Sequence, residues 1–266
     1  MTEATAKDYW ESLHRKSYGL QSVGYVGVGT PFNAWMYRLR RRVFRQAVSP
    51  FIPARDNLEI LDVGSGTGFY LDRWRELGFR SVHASDVSEV AVQRLRERYP
   101  TCEVVQLDIG DESAATLGRR FDVVSTMDVL FHITSDRRYE RAFANLASLV
   151  KPNGLLVFSE NFVHQRNPRE AQQVNRSLAE IEFLLRKMGF EPLARRPMFV
   201  LMNYPVDSTS RVHRLCWRVL ELAMVAWNPL GAVLGAVLYP LELALVARLK
   251  EGPSTELMLC RRLPDP

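Results

Sequence analysis

Short apolar runs alternate with longer amphipathic segments from residue 57 onward. Residues 58–63 predict a buried strand, and apolar positions at helical spacing over 69–77 predict a helix that Gly78 ends. Because strands and crossover helices alternate in this way when they build a parallel sheet, we predict an α/β fold. The further predicted strands are 81–84, 104–107, 121–125, 155–158, 191–201 and 255–260, and the further predicted helices are 88–99, 136–150 and 167–189.

The alternating pattern divides the chain into four parts. Residues 57–206 are predicted to form the core, which residues 251–266 complete with the last strand and a tail. Residues 1–56 precede the core, and residues 207–250 are inserted before the last strand. We expect these two outer segments to be helical, the first as a cover or lid and the second as an apolar insertion.

A glycine turn between the first strand and the first helix is the strongest local signal. It has the sequence Ile60-Leu61-Asp62-Val63-Gly64-Ser65-Gly66-Thr67-Gly68. Gly64 permits a tight turn, Gly66 lets a ligand lie against bare backbone, and Gly68 opens a helix whose first amides point at the ligand. A dinucleotide site has its third glycine five positions after the first. That position is Phe69 here, which disfavours a nicotinamide oxidoreductase.

Carboxylates lie at the carboxyl ends of three consecutive predicted strands, as Asp62, Asp86 and Asp108. Asp86 lies 22 residues after Gly64, where a carboxylate can accept both hydroxyls of a ribose. Ligands of open α/β sheets bind at the carboxyl ends of the strands, so we expect the three acids at one edge. Acidic side chains suit a cofactor that carries a sulfonium and an amino group rather than a pyrophosphate.

These residues resemble the class I S-adenosylmethionine-dependent methyltransferases over residues 58–189 and the last strand. The first motif of that family is similar to 61–68 and its fourth-strand motif to 121–133. Its next turn is similar to 151–154, where Asn153 replaces the commoner glycine and tolerates positive φ. The resemblance implies a Rossmann-like, doubly wound, seven-stranded, mostly parallel sheet with an antiparallel last strand, and S-adenosylmethionine as the cofactor. The implied cofactor contacts are Asp62, Gly64, Ser65, Gly66, Gly68, Asp86, Val87, Asp108, Ile109, Met127 and, from the cover, Tyr25.

The motifs do not settle what the cofactor is used for. A methyltransferase acting at O, N or C is the main hypothesis, and a non-methylating enzyme such as a cyclase, or a binding module, stays open. His132 and Asp128 follow the fourth strand, where the family places the methyl donor. His132 can deprotonate an acceptor, line the pocket or support the next helix, whereas Asp128 is expected to orient the loop or a ligand. Glu160 and Asn161 are either polar loop residues or substrate contacts.

Residues 222–241 contain no charged side chain, and their length permits a membrane span. Helix-breaking residues within the run, Asn228-Pro229, Gly231, Gly235 and Pro240, are expected to divide it into short helices. We expect a roof over an apolar acceptor, with a shallow membrane-surface contact as the alternative. A helix over 33–48 bears on this choice because five arginines lie opposite its apolar face and can be solvated or hold anionic groups. They are Arg38, Arg40, Arg41, Arg42 and Arg45.

Composition narrows the class of protein. An apolar fraction of 47% and a charged fraction of 24% over 266 residues are those of a globular protein. The net charge of +5 comes from arginines spread along the chain, which disfavours a nucleic-acid partner and leaves a small, hydrophobic acceptor. Three cysteines without CxxC spacing or clustered histidines predict neither a disulfide framework nor a metal site. The polar N-terminus predicts a cytoplasmic protein, with peripheral membrane contact as the alternative.

Overall fold

The computed structural model describes residues 6–19, 24–52, 57–111, 117–165 and 172–265. Parts of the predicted cover, 1–5, 20–23 and 53–56, therefore lie outside the described residues. The described strands are Glu59–Val63 (β1), Ser81–Asp86 (β2), Val104–Gln106 (β3), Phe121–Thr126 (β4), Val150–Glu160 (β5), Phe190–Pro197 (β6) and Glu256–Arg262 (β7).

The strands form one sheet in the order β3-β2-β1-β4-β5-β7-β6. The first five strands run parallel, and β7 lies antiparallel between β5 and β6. The prediction of a seven-stranded, mostly parallel α/β sheet with an antiparallel last strand is confirmed. The strand order reverses direction between β1 and β4, which is the place where sheets of this kind bind ligands.

Helices cover both faces of the sheet. Apolar side chains of the first helices of the core and of the outer segments pack on one face, and those of the two later core helices pack on the other. The described helices are Ala6–Lys16 (α1), Gly29–Val48 (α2), Phe69–Glu76 (α3), Glu89–Arg98 (α4), Asp136–Leu149 (α5), Leu178–Lys187 (α6), Arg211–Ala226 (α7) and Leu230–Arg248 (α8).

Helix α6 begins at Leu178, ten residues after Pro168, where the sequence predicts its start. The start expected at Asn167-Pro168 lies outside the described residues, but Val174 precedes the helix and donates its N–H to the carbonyl of Phe131 at 2.8 Å. Ser177 and Glu180 form a capping box, in which each side chain accepts from the other residue's amide. Two backbone donors are thereby satisfied at once, so the capping box sets the start of the helix.

Strand β6 ends at Pro197, four residues before the predicted end. The amides of Val200, Leu201 and Met202 donate to the buried carboxylate of Glu242, at 2.6, 2.8 and 3.3 Å, instead of to a neighbouring strand. These three hydrogen bonds attach α8 to the edge of the core.

The insertion forms two helices that lie beside α2. Asn228 and Pro229 separate α7 from α8, as predicted. The expected divisions at Gly231, Gly235 and Pro240 are wrong, because α8 continues through all three. Pro240 is exposed, where water can satisfy the carbonyl that loses its helical partner. Gly235 allows α8 to approach α2 closely, since a Cβ built there would lie 2.2 Å from the ring of Trp35.

Candidate active site

A cavity of about 330 Å³ opens at the carboxyl ends of β1, β2 and β4. Its volume lies in the range of small-molecule sites. The predicted site residues that line it are Gly64, Ser65, Gly66, Asp86, Val87, Asp108, Ile109, Met127, Asp128 and His132. Side chains of α1 and α2 close it from the other side, namely Trp10, His14 and Tyr37. The cover therefore contributes one wall of the cavity.

The glycine turn has the close backbone approach that the sequence predicts. Gly64 has φ +74°, and a Cβ there would lie 2.3 Å from the side chain of Val129. The amides of Gly64 and Ser65 both donate to the carbonyl of Ser85 at 2.8 Å, which ties the turn to β2. Only a residue without a Cβ fits this position without displacing Val129.

Asp86 is held in place by backbone amides. Its Oδ2 accepts from the N–H of Gly66 at 2.8 Å and its Oδ1 from the N–H of Ser88 at 2.9 Å. Burial raises the pKa of Asp86, and the backbone hydrogen bonds oppose that effect. Each oxygen keeps a further lone pair, so the carboxyl can accept from the two hydroxyls of a ribose. This arrangement fits the implied cofactor.

Two of the predicted cofactor contacts lie behind the turn rather than in the cavity. Asp62 is buried and accepts a hydrogen bond from Ser125 Oγ at 2.5 Å, while burial raises its pKa to about 7. Side chains alternate along a strand, so Asp62 and its neighbour Val63 point to opposite faces, and Val63 is the one that lines the cavity. Gly68, at φ +81°, lies against the ring of Tyr99.

Tyr25 also lies outside the cavity. Its hydroxyl donates to Glu221 Oε1 at 2.9 Å, and its ring packs edge-on against Trp217 at 5.8 Å. The prediction of a cofactor contact at Tyr25 is therefore corrected to a contact between the cover and α7. The side chains of α1 that reach the cavity were missed, although Trp10 and His14 are four residues apart and share a helix face.

His14 is a buried polar side chain without a partner. It is 4% exposed, and neither ring nitrogen has a hydrogen-bond partner among the described residues. Its ring lies between those of Trp10 and Tyr18, at 5.9 and 5.6 Å. Burial lowers the pKa of His14, with Asp86 opposing that effect. Because buried polar groups in native proteins are nearly always hydrogen-bonded, the orphaned nitrogens fit a polar ligand beside Asp86.

Helix α1 is fastened over this part of the cavity by two contacts. Glu11 accepts from Ser88 Oγ at 2.7 Å, at the first turn of α4. Tyr18, just after α1, donates its hydroxyl proton to the carbonyl of Gly66 at 2.8 Å. The wall that carries His14 is thus attached to both the glycine turn and the second helix of the core.

Asp128 also lines the cavity and is held by two partners. Its backbone has the left-handed φ of +60°, and its N–H donates to Ser159 Oγ at 2.7 Å. The hydroxyl of Ser159 donates in turn to Asp128 Oδ1 at 2.8 Å, and Oδ2 forms an ion pair with Arg40. These contacts fix the carboxylate and neutralise it, which suits an orienting role.

Arg40 departs from the prediction of a solvated arginine face on α2. Its side chain is buried and pairs with Asp128, whereas Arg41 is exposed and pairs with Glu76. The guanidinium also lies over the ring of Phe199 at 4.9 Å. Arg40 follows Met36 by one helical turn and so falls on the buried face of α2.

His132 presents one ring nitrogen to the cavity. Its Nδ1 lies 2.8 Å from the carbonyl oxygen of Gln172, and a carbonyl can only accept, so Nδ1 carries the hydrogen. Nε2 is left as the nitrogen that can accept a proton. Burial lowers the pKa of His132 below its ordinary value of 6.5, with the Gln172 hydrogen bond opposing, so the ring is neutral at pH 7. The edge of Trp10 approaches the ring at 5.0 Å.

Glu160 and Asn161 do not line the cavity. Glu160 is buried, accepts from the Tyr139 hydroxyl at 2.9 Å, and has its pKa raised to about 8 by burial. Asn161 donates to Asn175 at 3.0 Å. Both side chains have internal partners, so the structure favours a structural role over substrate contact.

The described part of residues 207–250 contributes no side chain to this cavity. Its large apolar side chains are instead exposed on the outer surface, among them Leu222, Trp227 and Val237. The expectation of a roof over the acceptor is therefore not supported by the geometry. The cavity wall around His132 is formed by residues of α1 and α2 and by the residues that follow β4.

A family model described as a methyltransferase domain matches residues 36–194. A probable S-adenosylmethionine-dependent methyltransferase of Mycobacterium tuberculosis is 29% identical over 175 residues, which are 63% of this chain and 59% of that protein. A ubiquinone biosynthesis O-methyltransferase of Cereibacter sphaeroides is 27% identical over 164 residues, 54% of this chain and 64% of that protein. The match thus spans about three fifths of the length of these curated relatives.

A solved structure with the same fold is the magnesium protoporphyrin IX methyltransferase of Synechocystis PCC 6803 with bound S-adenosylhomocysteine. It has a TM-score of 0.57 and 17% identity, and the alignment covers 96% of this chain and 97% of that one. At this identity the likeness shows the fold alone.

Proposed function

This chain belongs to the S-adenosylmethionine-dependent methyltransferase family, and on that premise we propose that it methylates a small, hydrophobic acceptor with His132 as the general base. The family confirms the predicted cofactor. The observation that carries the proposal is the cavity that Asp86 and His132 both line.

Asp86, the glycine turn and His14 would hold the cofactor. Asp86 accepts from the ribose hydroxyls, the bare backbone at Gly64 and Gly66 lets the cofactor lie close, and His14 supplies a hydrogen bond through a nitrogen that otherwise has none. The cofactor supplies a methyl group on a sulfonium, which is already electrophilic. The protein therefore needs chiefly to align the acceptor, exclude water and take up a proton.

The residues around His132 favour an apolar acceptor. Trp10, Tyr37 and Phe69 line the cavity with aromatic surface, and the carboxylate of Asp128 is neutralised by Arg40. The neutral His132 can accept a proton from an acceptor hydroxyl, amine or activated carbon at Nε2, while Gln172 holds the ring orientation through Nδ1. The Cereibacter relative is named an O-methyltransferase of ubiquinone biosynthesis, which supports an acceptor hydroxyl as the first one to test.

The first test separates cofactor binding from methyl transfer. Isothermal titration with S-adenosylmethionine and S-adenosylhomocysteine measures binding, and formation of S-adenosylhomocysteine with a panel of free and prenylated phenols measures transfer. We expect the His132→Gln variant to bind the cofactor as wild type does and to lose at least about a hundredfold in turnover, the usual contribution of a general base. The matched control is His83→Gln, which changes a histidine outside the cavity.

The pH profile gives an independent measure. A base must be neutral to act, and the pKa of His132 is lowered by burial, so turnover should fall only as the pH drops through a value below 6.5. Equal turnover of His132→Gln and wild type would remove His132 from catalysis, and no cofactor binding at millimolar concentration would refute the proposal. Conversion of a substrate with cofactor bound and no S-adenosylhomocysteine formed would instead support the cyclase hypothesis.

We propose a cytoplasmic location and no nucleic-acid partner. The basic residues of the cavity region are engaged internally, Arg40 with Asp128 and Arg138 with Asp108 at 2.5 Å, rather than forming an open track for a phosphate backbone. Gel-shift measurements with duplex DNA and with tRNA should show no binding at physiological salt, and saturable binding to either would contradict this part of the proposal.

A further inference from the structure

The outer side of the insertion carries an unusual concentration of exposed apolar side chains. Nine large ones between residues 212 and 241 are more than half exposed, and Leu222, Val225 and Val237 are exposed by 68%, 66% and 66%. They lie on both helices of the insertion, and we call the surface that they form the α7–α8 face. Exposed apolar patches of this extent usually mark a binding surface.

Charged residues of the insertion differ in exposure according to their sign. Its three acidic side chains are buried or half-buried, and each has a partner: Asp207 pairs with His164, Glu221 accepts from Tyr25, and Glu242 accepts from three backbone amides. Its exposed basic side chains are Arg211 at the start of α7, Arg218 in the middle of α7, and Arg248 and Lys250 at the end of α8. Residues 207–250 therefore expose apolar and basic side chains and no acidic one.

We propose that the α7–α8 face docks onto an anionic lipid bilayer. The proposal rests on the proposed function in one respect: the hydrophobic acceptor would reach the cavity from the membrane. An amphipathic surface of this kind lies in the plane of the interface, where apolar side chains enter the acyl boundary and basic side chains meet anionic headgroups. Trp227, at the turn between the helices and 59% exposed, is a side chain that favours this depth.

The packing of α8 explains why the contact is peripheral. By length and composition α8 could cross a bilayer, and only 22% of its most apolar stretch is buried in the fold. However, the close packing of Gly235 on Trp35 and the three hydrogen bonds from backbone amides to Glu242 attach the helix to the core. Crossing the membrane would break these contacts, whereas lying on the surface keeps them.

Charge favours lipid over a second copy of the chain. Two copies paired through the α7–α8 face would enclose the exposed Arg211 and Arg218 of both copies in one interface, with no exposed carboxylate of the insertion to compensate. Phosphatidylserine headgroups supply the missing negative charge. A bilayer also has room for an apolar area that stretches over two helices.

Helix α2 connects this surface to the cavity. One side of α2 packs on α8, where Trp35 contacts Tyr239 at 5.3 Å, and another side places Tyr37 in the cavity wall. A bilayer bound to the insertion would therefore lie one helix away from the cavity.

Co-sedimentation tests the proposal directly, with purified full-length protein and vesicles of phosphatidylcholine with or without phosphatidylserine. We expect wild type to sediment with the anionic vesicles and to be released by high salt, because salt screens the arginine contribution. The double variant Leu222→Glu/Val237→Glu should lower the bound fraction at least about tenfold, through lost apolar burial and added negative charge. Arg211→Glu/Arg218→Glu should weaken binding to anionic vesicles specifically.

Matched controls change the same residue types elsewhere on the surface. Phe183→Glu on α6 replaces another exposed apolar side chain, and Arg80→Glu reverses an exposed charge before β2. Neither should alter sedimentation. All variants replace exposed residues, and unchanged cofactor affinity verifies that they are folded.

Three results would overturn the inference. Wild type could remain in the supernatant with anionic vesicles, the face variants could sediment like the controls, or light scattering could show a dimer that Val237→Glu dissociates. The assay needs neither turnover nor an acceptor, so its failure is separate from a failure of the proposed methyl transfer.

Discussion

The sheet edge and the insertion distribute polar and apolar side chains in opposite ways. At the carboxyl ends of β1, β2 and β4, apolar residues are enclosed and polar ones such as Asp86 and His132 gather around one cavity. In the insertion, acids such as Glu242 are turned inward and apolar residues such as Val237 face outward. A small ligand is enough to fill the cavity, whereas only a large external surface could cover the exposed apolar side chains of the insertion.

The difference between the two regions coincides with the end of the matched methyltransferase domain. The matched domain ends at residue 194, before the insertion begins. The matched domain contains the glycine turn, Asp86 and His132, which line the cavity. Residues 207–250 lie outside the matched domain. The predictions below test whether the two regions separate energetically as well.

The largest effect is expected for the buried ion pair that connects α2 to the cavity. Arg40→Met leaves the Asp128 carboxylate without its cation and should lower the free energy of unfolding by about 2 to 4 kcal/mol. The neighbouring exposed arginine is the control, since Arg41→Met removes a surface pair with Glu76 and should change stability by less than about 1 kcal/mol. Urea unfolding measures both, and equal losses would contradict the burial of Arg40.

The next effect concerns the cofactor. Asp86→Asn should weaken S-adenosylmethionine binding by roughly 10- to 100-fold, because charged hydrogen bonds to the ribose are lost. Asp122→Asn is the matched control, since Asp122 bonds to Lys151 at the opposite end of the sheet. Isothermal titration compares them. Wild-type affinity in the Asp86 variant would place the ribose elsewhere.

A pH effect is expected from the buried carboxyl of Glu160. Burial raises its pKa from 4.5 to about 8, so the folded protein holds a proton that the unfolded chain has released. Its contribution to stability is therefore full below pH 4.5 and is lost as the pH rises toward 8. Glu160→Gln should flatten this fall in thermal unfolding between pH 5 and pH 8, in a comparison with the exposed Glu191→Gln. An unchanged slope in both variants would show that Glu160 is not the group responsible.

The smallest effects compare two valines on α8. Val246 is 6% exposed, and Val246→Ala should lower the free energy of unfolding by about 1 to 2 kcal/mol. Val237 is 66% exposed, and Val237→Ala should change it by less than about 0.5 kcal/mol. Similar losses at both positions would mean that the α7–α8 face is covered by protein in solution.

Local signals explain why so much of the sheet edge was predictable. A tight turn requires glycine at position 64, and a ribose site requires a carboxylate after the second strand, at Asp86. Each requirement falls on a single position and can therefore be recognised in the sequence. Because the carboxyl ends of parallel strands meet at one edge of the sheet, His132 and Asp128 were predicted to lie at the same edge. Asp62 was misplaced because alternation along a strand sends neighbouring residues to opposite faces, and a strand buried on both sides does not reveal which face holds the ligand.

The helical parts were harder to predict for a different reason. Helix α8 is apolar on every side, so periodicity cannot indicate which face is buried. The burial of Arg40 could have been predicted from its place one helical turn after Met36, but the four other arginines of this segment suggested a solvated face. His14 and Trp10 share a face of α1, yet only the packing of α1 against Ser88 shows that this face meets the cavity.

The position of β7 has a consequence for how the protein is made. Among the described strands β6 pairs with β7 alone, and the whole insertion separates the two strands in sequence. During synthesis, the first five strands can assemble while β6 still lacks its partner, which is made only after the insertion. Helices α7 and α8 emerge in that interval, with their apolar surface already present and the sheet incomplete. The nascent chain is therefore most vulnerable to aggregation after the insertion has been made and before β7 has joined the sheet.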